Sequence, residues 1–150
     1  MKLAEALQER ADLNMKISQL SSRLYDNALV QEGEKPAEDP KELIDELDKA
    51  SARLEELIGR INLTNCRTVE NGASLTELIA KKDCLRQRIQ IYRDLISAAS
   101  QTARRASRTE IKILSTVDVR KLQRKSDDMS KELRATDNAI QELNWKTELL

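Results

Sequence analysis

The chain has 150 residues, of which 35% are charged and 2% aromatic; it contains no His and no Phe, and its 26 basic residues balance 26 acidic ones. This length permits one domain with a buried core, and a composition dominated by Leu, Ile, Ala, Lys, Arg and Glu is that of long helices and coiled coils. Without His there is no ordinary neutral-pH acid–base group, no Ser–His or Cys–His pair and no imidazole ligand, while zero net charge removes any bulk attraction to nucleic acid or anionic lipid.

A first helix is predicted over residues 2–28, where Leu3, Ala6, Arg10, Leu13, Ile17, Leu20 and Leu24 recur at alternating spacings of three and four. Residues 31–39 are polar and acidic and contain Gly33 and Pro36, which marks a solvated connection. A second helix is predicted over 40–66. Asp39 can cap it, Pro40 suits its first position, and Glu42 stands three residues beyond the cap.

In the second helix Leu43, Leu47, Ala50, Leu54, Leu57, Ile61 and Thr64 follow a 4-3 spacing. In a third, predicted over 75–106, Leu75, Leu78, Lys82, Leu85, Ile89, Tyr92 and Ile96 follow the reverse. Asn71 and Gly72 between them favour a tight turn at positive φ, and Ser74 with Glu77 reads as the next capping box. The expected architecture is therefore an antiparallel coiled-coil hairpin of helix 2 against helix 3, with Ala50 facing Ile89 and the Lys82 stem lying on Leu57. In that register Cys66 and Cys84 stand too far apart for a disulfide. The acidic stretch from Asp26 to Glu56, net −7, would then lie alongside the basic stretch from Lys81 to Arg108, net +6.

The period is lost from Ser107 to Thr116. Residues Glu110 to Ile113 alternate as a strand would, and the segment is either a short extended strand or an irregular linker. A fourth helix is predicted over 118–150, capped by Thr116 or Asp118, with a seam of Leu122, Ser126, Met129, Leu133, Thr136, Ile140, Leu143, Thr147 and Leu150. The fold class is thus all-α, four long helices in a single domain spanning 1–150.

Seams do not use all the apolar surface. Ile44, Ile58, Ile79, Ile91, Leu95 and Trp145 lie beside or opposite them, and either make subunit contacts or are covered by helices 1 and 4 of the same chain. The candidate interface consists of Ile91, Leu95, Ile111, Ile113 and Trp145. A second candidate is polar: Asn62, Asn65 and Arg67 at the end of helix 2, with Arg104, Arg105 and Arg108 beyond helix 3, could hold an anion or organise helix ends.

No catalytic, cofactor or metal site is expected. Three glycines form no phosphate-cradling loop, and two cysteines at this spacing are no zinc site. No stretch is long and apolar enough for a membrane span, so a cytoplasmic chain that does not engage membranes is expected.

The words Met1-Lys-Leu-Ala-Glu-Ala-Leu, Val30-Gln-Glu-Gly-Glu, Ala37-Glu-Asp-Pro, Arg60-Ile-Asn-Leu-Thr-Asn65, Ser107-Arg-Thr-Glu-Ile-Lys and Glu142-Leu-Asn-Trp-Lys-Thr-Glu resemble a family of uncharacterised bacterial helical proteins, some labelled septicolysin. The resemblance implies a small bacterial cytoplasmic helical protein, with an oligomer as one option, and supplies no catalytic residues. The expected function is that of a non-enzymatic helical interaction or assembly protein that self-associates or docks a partner helix. The alternative is nucleic-acid binding through Lys81, Lys82, Arg86, Arg88 and Arg93 of helix 3, weakened by the lack of stacking aromatics. A carboxylate-metal enzyme or a cytolysin comes third.

Overall fold

A computed structural model describes residues 1–101 and 111–150. The chain forms four helices, α1 (Leu3–Asp26), α2 (Pro40–Arg67), α3 (Leu75–Ala99) and α4 (Val119–Lys146), with a two-residue antiparallel pair of strands, β1 (Val69–Glu70) and β2 (Ala73–Ser74), between α2 and α3. The all-α class and the four helices stand as the periodicity predicts. Two helix ends differ by more than two residues: α3 stops at Ala99 instead of 106, and α4 stops at Lys146 instead of 150; α1 stops at Asp26 instead of 28.

Three local signals act as expected. Asp39 Oδ1 accepts the Lys41 N–H at 2.9 Å with Pro40 opening α2, and Asp118, not Thr116, caps α4 by accepting the Lys121 N–H at 3.1 Å. Asn71 (φ 52°) and Gly72 (φ 84°) both take left-handed backbone, the combination that closes a two-residue hairpin. Ile111 to Ile113 form no strand, which favours the irregular linker; Glu110 lies outside the described residues.

The chain divides into two compact units, one built from Met1–Ser74 and Leu143–Leu150, the other from Leu75–Glu142. In the first, α1 packs against α2. Leu3, Ala6, Leu20, Leu43, Ala50, Leu57, Ile61 and Thr64 are buried there, all of them seam positions. In the second, α3 packs against α4, with Leu85, Ile89 and Met129 forming a core flanked by Tyr92 and Leu133.

The expected pairing of helix 2 with helix 3 is therefore corrected: the antiparallel partner of α2 is α1, and that of α3 is α4. Residues immediately preceding seam positions show the register. Lys16 pairs with Glu46 at 3.6 Å, Arg53 with Glu9 at 2.7 Å, and Lys81 with Glu132 at 2.7 Å. Arg23 also grips Glu38 at the far end of the 31–39 connection. The acidic stretch is thus met partly by bases of α1, and the basic stretch partly by acids of α4. Lys82, whose stem is expected to lie on Leu57, has a side chain only 17% exposed and binds Asp137 of α4 instead.

After α4 the chain does not continue as helix. Its tail crosses the start of α1 as an extended segment: Leu3 N–H donates to the Thr147 carbonyl and Leu149 N–H to the Met1 carbonyl, each at 2.9 Å. This bridges Lys2 to Glu148 and buries Leu149. No disulfide joins Cys66 and Cys84, both exposed at the surface.

Candidate functional site

The exposed apolar residues are the first candidate. Ile91 and Leu95 are one turn apart on α3, at 56% and 39% exposure, so the described residues leave them uncovered. The structure brings Leu95 together with Ile113 and Leu114: they line an open groove of about 880 Å³ between the last turns of α3 and residues 113–117, with Ala98, Ala99 and Val117. Leu114 was not among the expected interface residues, although it sits beside Ile113 in a segment rich in β-branched and aliphatic side chains. Ile111 is exposed but does not line the groove, and Trp145, 63% exposed, belongs to the other compact unit. Ile44 and Ile58 are exposed on α2.

The expected polar site is only partly described. Asn62 and Asn65 stand one turn apart on α2, Asn65 half-buried and Asn62 exposed, and Arg67 is exposed in the last helical turn. Arg104, Arg105 and Arg108 lie outside the described residues. Among the described residues no cluster of Cys, Asp and Glu could hold a metal ion, and no helix is long and apolar enough to cross a membrane.

The end of α2 carries a feature that the heptads do not announce. Thr64 is fully buried; its hydroxyl donates to the Arg60 carbonyl at 2.8 Å and accepts the Leu150 N–H at 3.0 Å. Arg60 Nε donates to the Leu150 carbonyl at 2.7 Å. At the start of α1, Lys2 Nζ lies 2.6 Å from Glu148 Oε1, and the Met1 amino group lies 3.2 Å from Glu148 Oε2. Lys2 first, and the amino group second, hold the Glu148 carboxyl below the ordinary carboxylate range. Lys2 and Arg60 occupy the same flank positions that carry opposite charges elsewhere along α1 and α2. Here both are basic, and the tail satisfies both with a carboxylate and a carbonyl.

The other ion pairs act in the same sense. Arg53 holds Glu9 down, Arg23 holds Glu38 down and Lys82 holds Asp137 down, in each case chiefly through a charge-assisted hydrogen bond. These groups bind the molecule together. Their carboxylates are occupied by cations of the same chain, which is a structural arrangement and not the poised, unpartnered state of a general acid or base.

Residues 10–149 match the family of unknown function DUF6847. The chain belongs to that family. It is also similar to a solved structure, the crystal structure of a functionally unknown conserved protein from Corynebacterium diphtheriae, at 40% sequence identity, with a TM-score of 0.93 over 100% of this chain and 99% of that one. A comparison with curated proteins gives no match. DUF6847 membership agrees with the expected family of uncharacterised helical proteins; the septicolysin label appears in neither description.

Proposed function

We propose that this member of DUF6847 is a non-enzymatic, cytoplasmic interaction protein that self-associates through the end of α3. The observation that carries this reading is the groove in which Leu95, Ile113 and Leu114 stand uncovered, with Ile91 extending the same stripe. Contiguous apolar surface of this kind is costly in water and marks contact sites. A second copy offers the same stripe, so one surface can cover the other about a two-fold axis.

Light scattering on the purified chain tests it. Association predicts a mass that is a multiple of 17.1 kDa at micromolar concentration, reduced to one copy by Leu95→Glu, with helicity retained because Leu95 is exposed. A wild-type chain of 17.1 kDa at every concentration overturns the proposal.

Nucleic-acid binding is less well supported by the same helix. Lys81 and Lys82 are engaged by Glu132 and Asp137, which removes two of the five bases it requires.

A further inference from the structure

We propose that the groove between α3 and α4 lined by Arg86, Arg93 and Arg134 binds a small anion bearing two phosphoryl groups. The groove measures about 330 Å³, and its remaining lining consists of Ile89, Gln90, Ser130 and Leu133. Three guanidinium-bearing residues thus share one depression whose lining includes no carboxylate.

The neighbouring acids are committed elsewhere. Arg86 is near enough to Asp137 to help hold that carboxyl down, but the hydrogen bond to Asp137 comes from Lys82. Asp94 accepts the Gln90 side-chain amide at 2.9 Å, and Asp127 accepts that of Gln123 at 3.0 Å. Ser130 uses its proton on the Ser126 carbonyl at 2.8 Å, so the charged donors of the groove are the guanidinium groups.

The opposite side of the same helix pair shows that this is not the generic state of the α3–α4 surface. There the groove lined by Arg88 and Lys125 also contains Asp128 and Glu132, and its charges balance. On the arginine side the positions that would answer the cations across the pair are the neutral Ser130 and another base, Arg134.

Like charges gathered over an apolar floor repel one another, and Ile89 and Leu133 deprive them of some of the water that would screen this. An anion relieves the repulsion. The guanidinium fork matches phosphate oxygens in pairs, which favours phosphate over halide. Arg86 and Arg93 are seven residues apart on one helix, about 10 Å along its axis. Their long side chains can converge from two directions on a diphosphate, while a single phosphate cannot engage all three arginines as fully. The groove has no aromatic lining to stack a base, so recognition is of the phosphates alone, whether free pyrophosphate or the diphosphate of a nucleotide.

Calorimetric titration of the full chain with pyrophosphate, ADP and a short single-stranded RNA tests the assignment. Expected is saturable one-to-one binding of pyrophosphate and ADP alike, weakened about tenfold by Arg93→Gln and similarly by Arg86→Gln, with Arg88→Gln close to wild type. All three groove arginines are exposed, so these variants keep the fold, and thermal melting without ligand should show no loss of stability. Absence of saturation at millimolar pyrophosphate and low ionic strength overturns the proposal, as does binding that the groove substitutions leave unchanged. Tighter, steeply salt-dependent binding of the RNA overturns it in favour of a nucleic-acid surface.

Discussion

The Thr64 hydroxyl accepts the backbone N–H of Leu150 at 3.0 Å, joining positions separated by 86 residues of sequence. Thr64 is fully buried, so this is one of the few places where a polar side chain enters the core of the α1–α2 unit. Replacing it by the isosteric Val removes the acceptor without opening a cavity. The Leu150 N–H then loses its partner, and a cost of about 1–3 kcal/mol is expected. Denaturant unfolding measures it. A loss below a few tenths of a kcal/mol would show that the tail finds water there at no cost.

The seam itself should respond to volume. Leu57 is fully buried on α2, and Leu57→Ala should cost about 2–5 kcal/mol through lost burial and a residual cavity. Ala50, 5% exposed on the same face, should resist enlargement: Ala50→Leu is expected to cost about 1–3 kcal/mol by forcing α1 and α2 apart. Parallel loss of stability in both directions, measured by thermal or denaturant unfolding, is the signature of a packed interface.

Acid should weaken the fold, and in one window only. Glu9, Glu38, Asp137 and Glu148 all have carboxyl groups held below their ordinary values by Arg53, Arg23, Lys82 and Lys2. A carboxylate depressed in the folded state contributes stability that is present above its unfolded value, about 4, and is lost as pH falls through the folded value. With no His in the chain, no side chain of ordinary pKa titrates between about pH 5 and pH 7. Melting temperature should therefore stay flat across that range and fall below about pH 4. A midpoint of destabilisation near pH 6 would contradict the assignment.

Glu148→Gln should loosen the tail without disturbing the helices. It removes the partner of Lys2 and of the Met1 amino group while keeping the side-chain shape. Hydrogen exchange at the Leu3 and Leu149 amides is expected to accelerate, with little change at Leu85 or Ile89 in the other unit. Uniform acceleration throughout the chain would show that the tail contact supports global stability instead.

Periodicity made the four helices legible and left their partners open. The first helix repeats in the same 3-4 sense as the third, and the second in the same 4-3 sense as the fourth, so the mirror relation that suggested α2 against α3 holds equally for α1 with α2 and α3 with α4. Charge at the flanking positions carries the missing information. Lys16 answers Glu46, Glu9 answers Arg53 and Lys81 answers Glu132. Those pairs are invisible until a register is tried. The heptad predicts helix through the tail because Thr147 and Leu150 fall on it, yet their backbone groups find partners in Leu3 and Thr64. A period of seven reports which side chains are apolar, not which hydrogen-bond donors face the local helix. The exposed Leu95 and Ile113 were legible as surplus apolar residues; that they share a groove was not, because their proximity depends on the path of a segment without a period.

The contact of the tail with the start of α1 also has a meaning in time. The α1–α2 unit is assembled from Met1–Ser74 and Leu143–Leu150, and the whole α3–α4 unit is an insertion between its two parts. During synthesis α1 and α2 emerge first, but Leu149 cannot reach Met1 until the inserted stretch has been made. The α3–α4 pair, whose contacts lie within one continuous stretch, can form before that closure. The unit whose two helices are made before α3 and α4 is therefore completed after them.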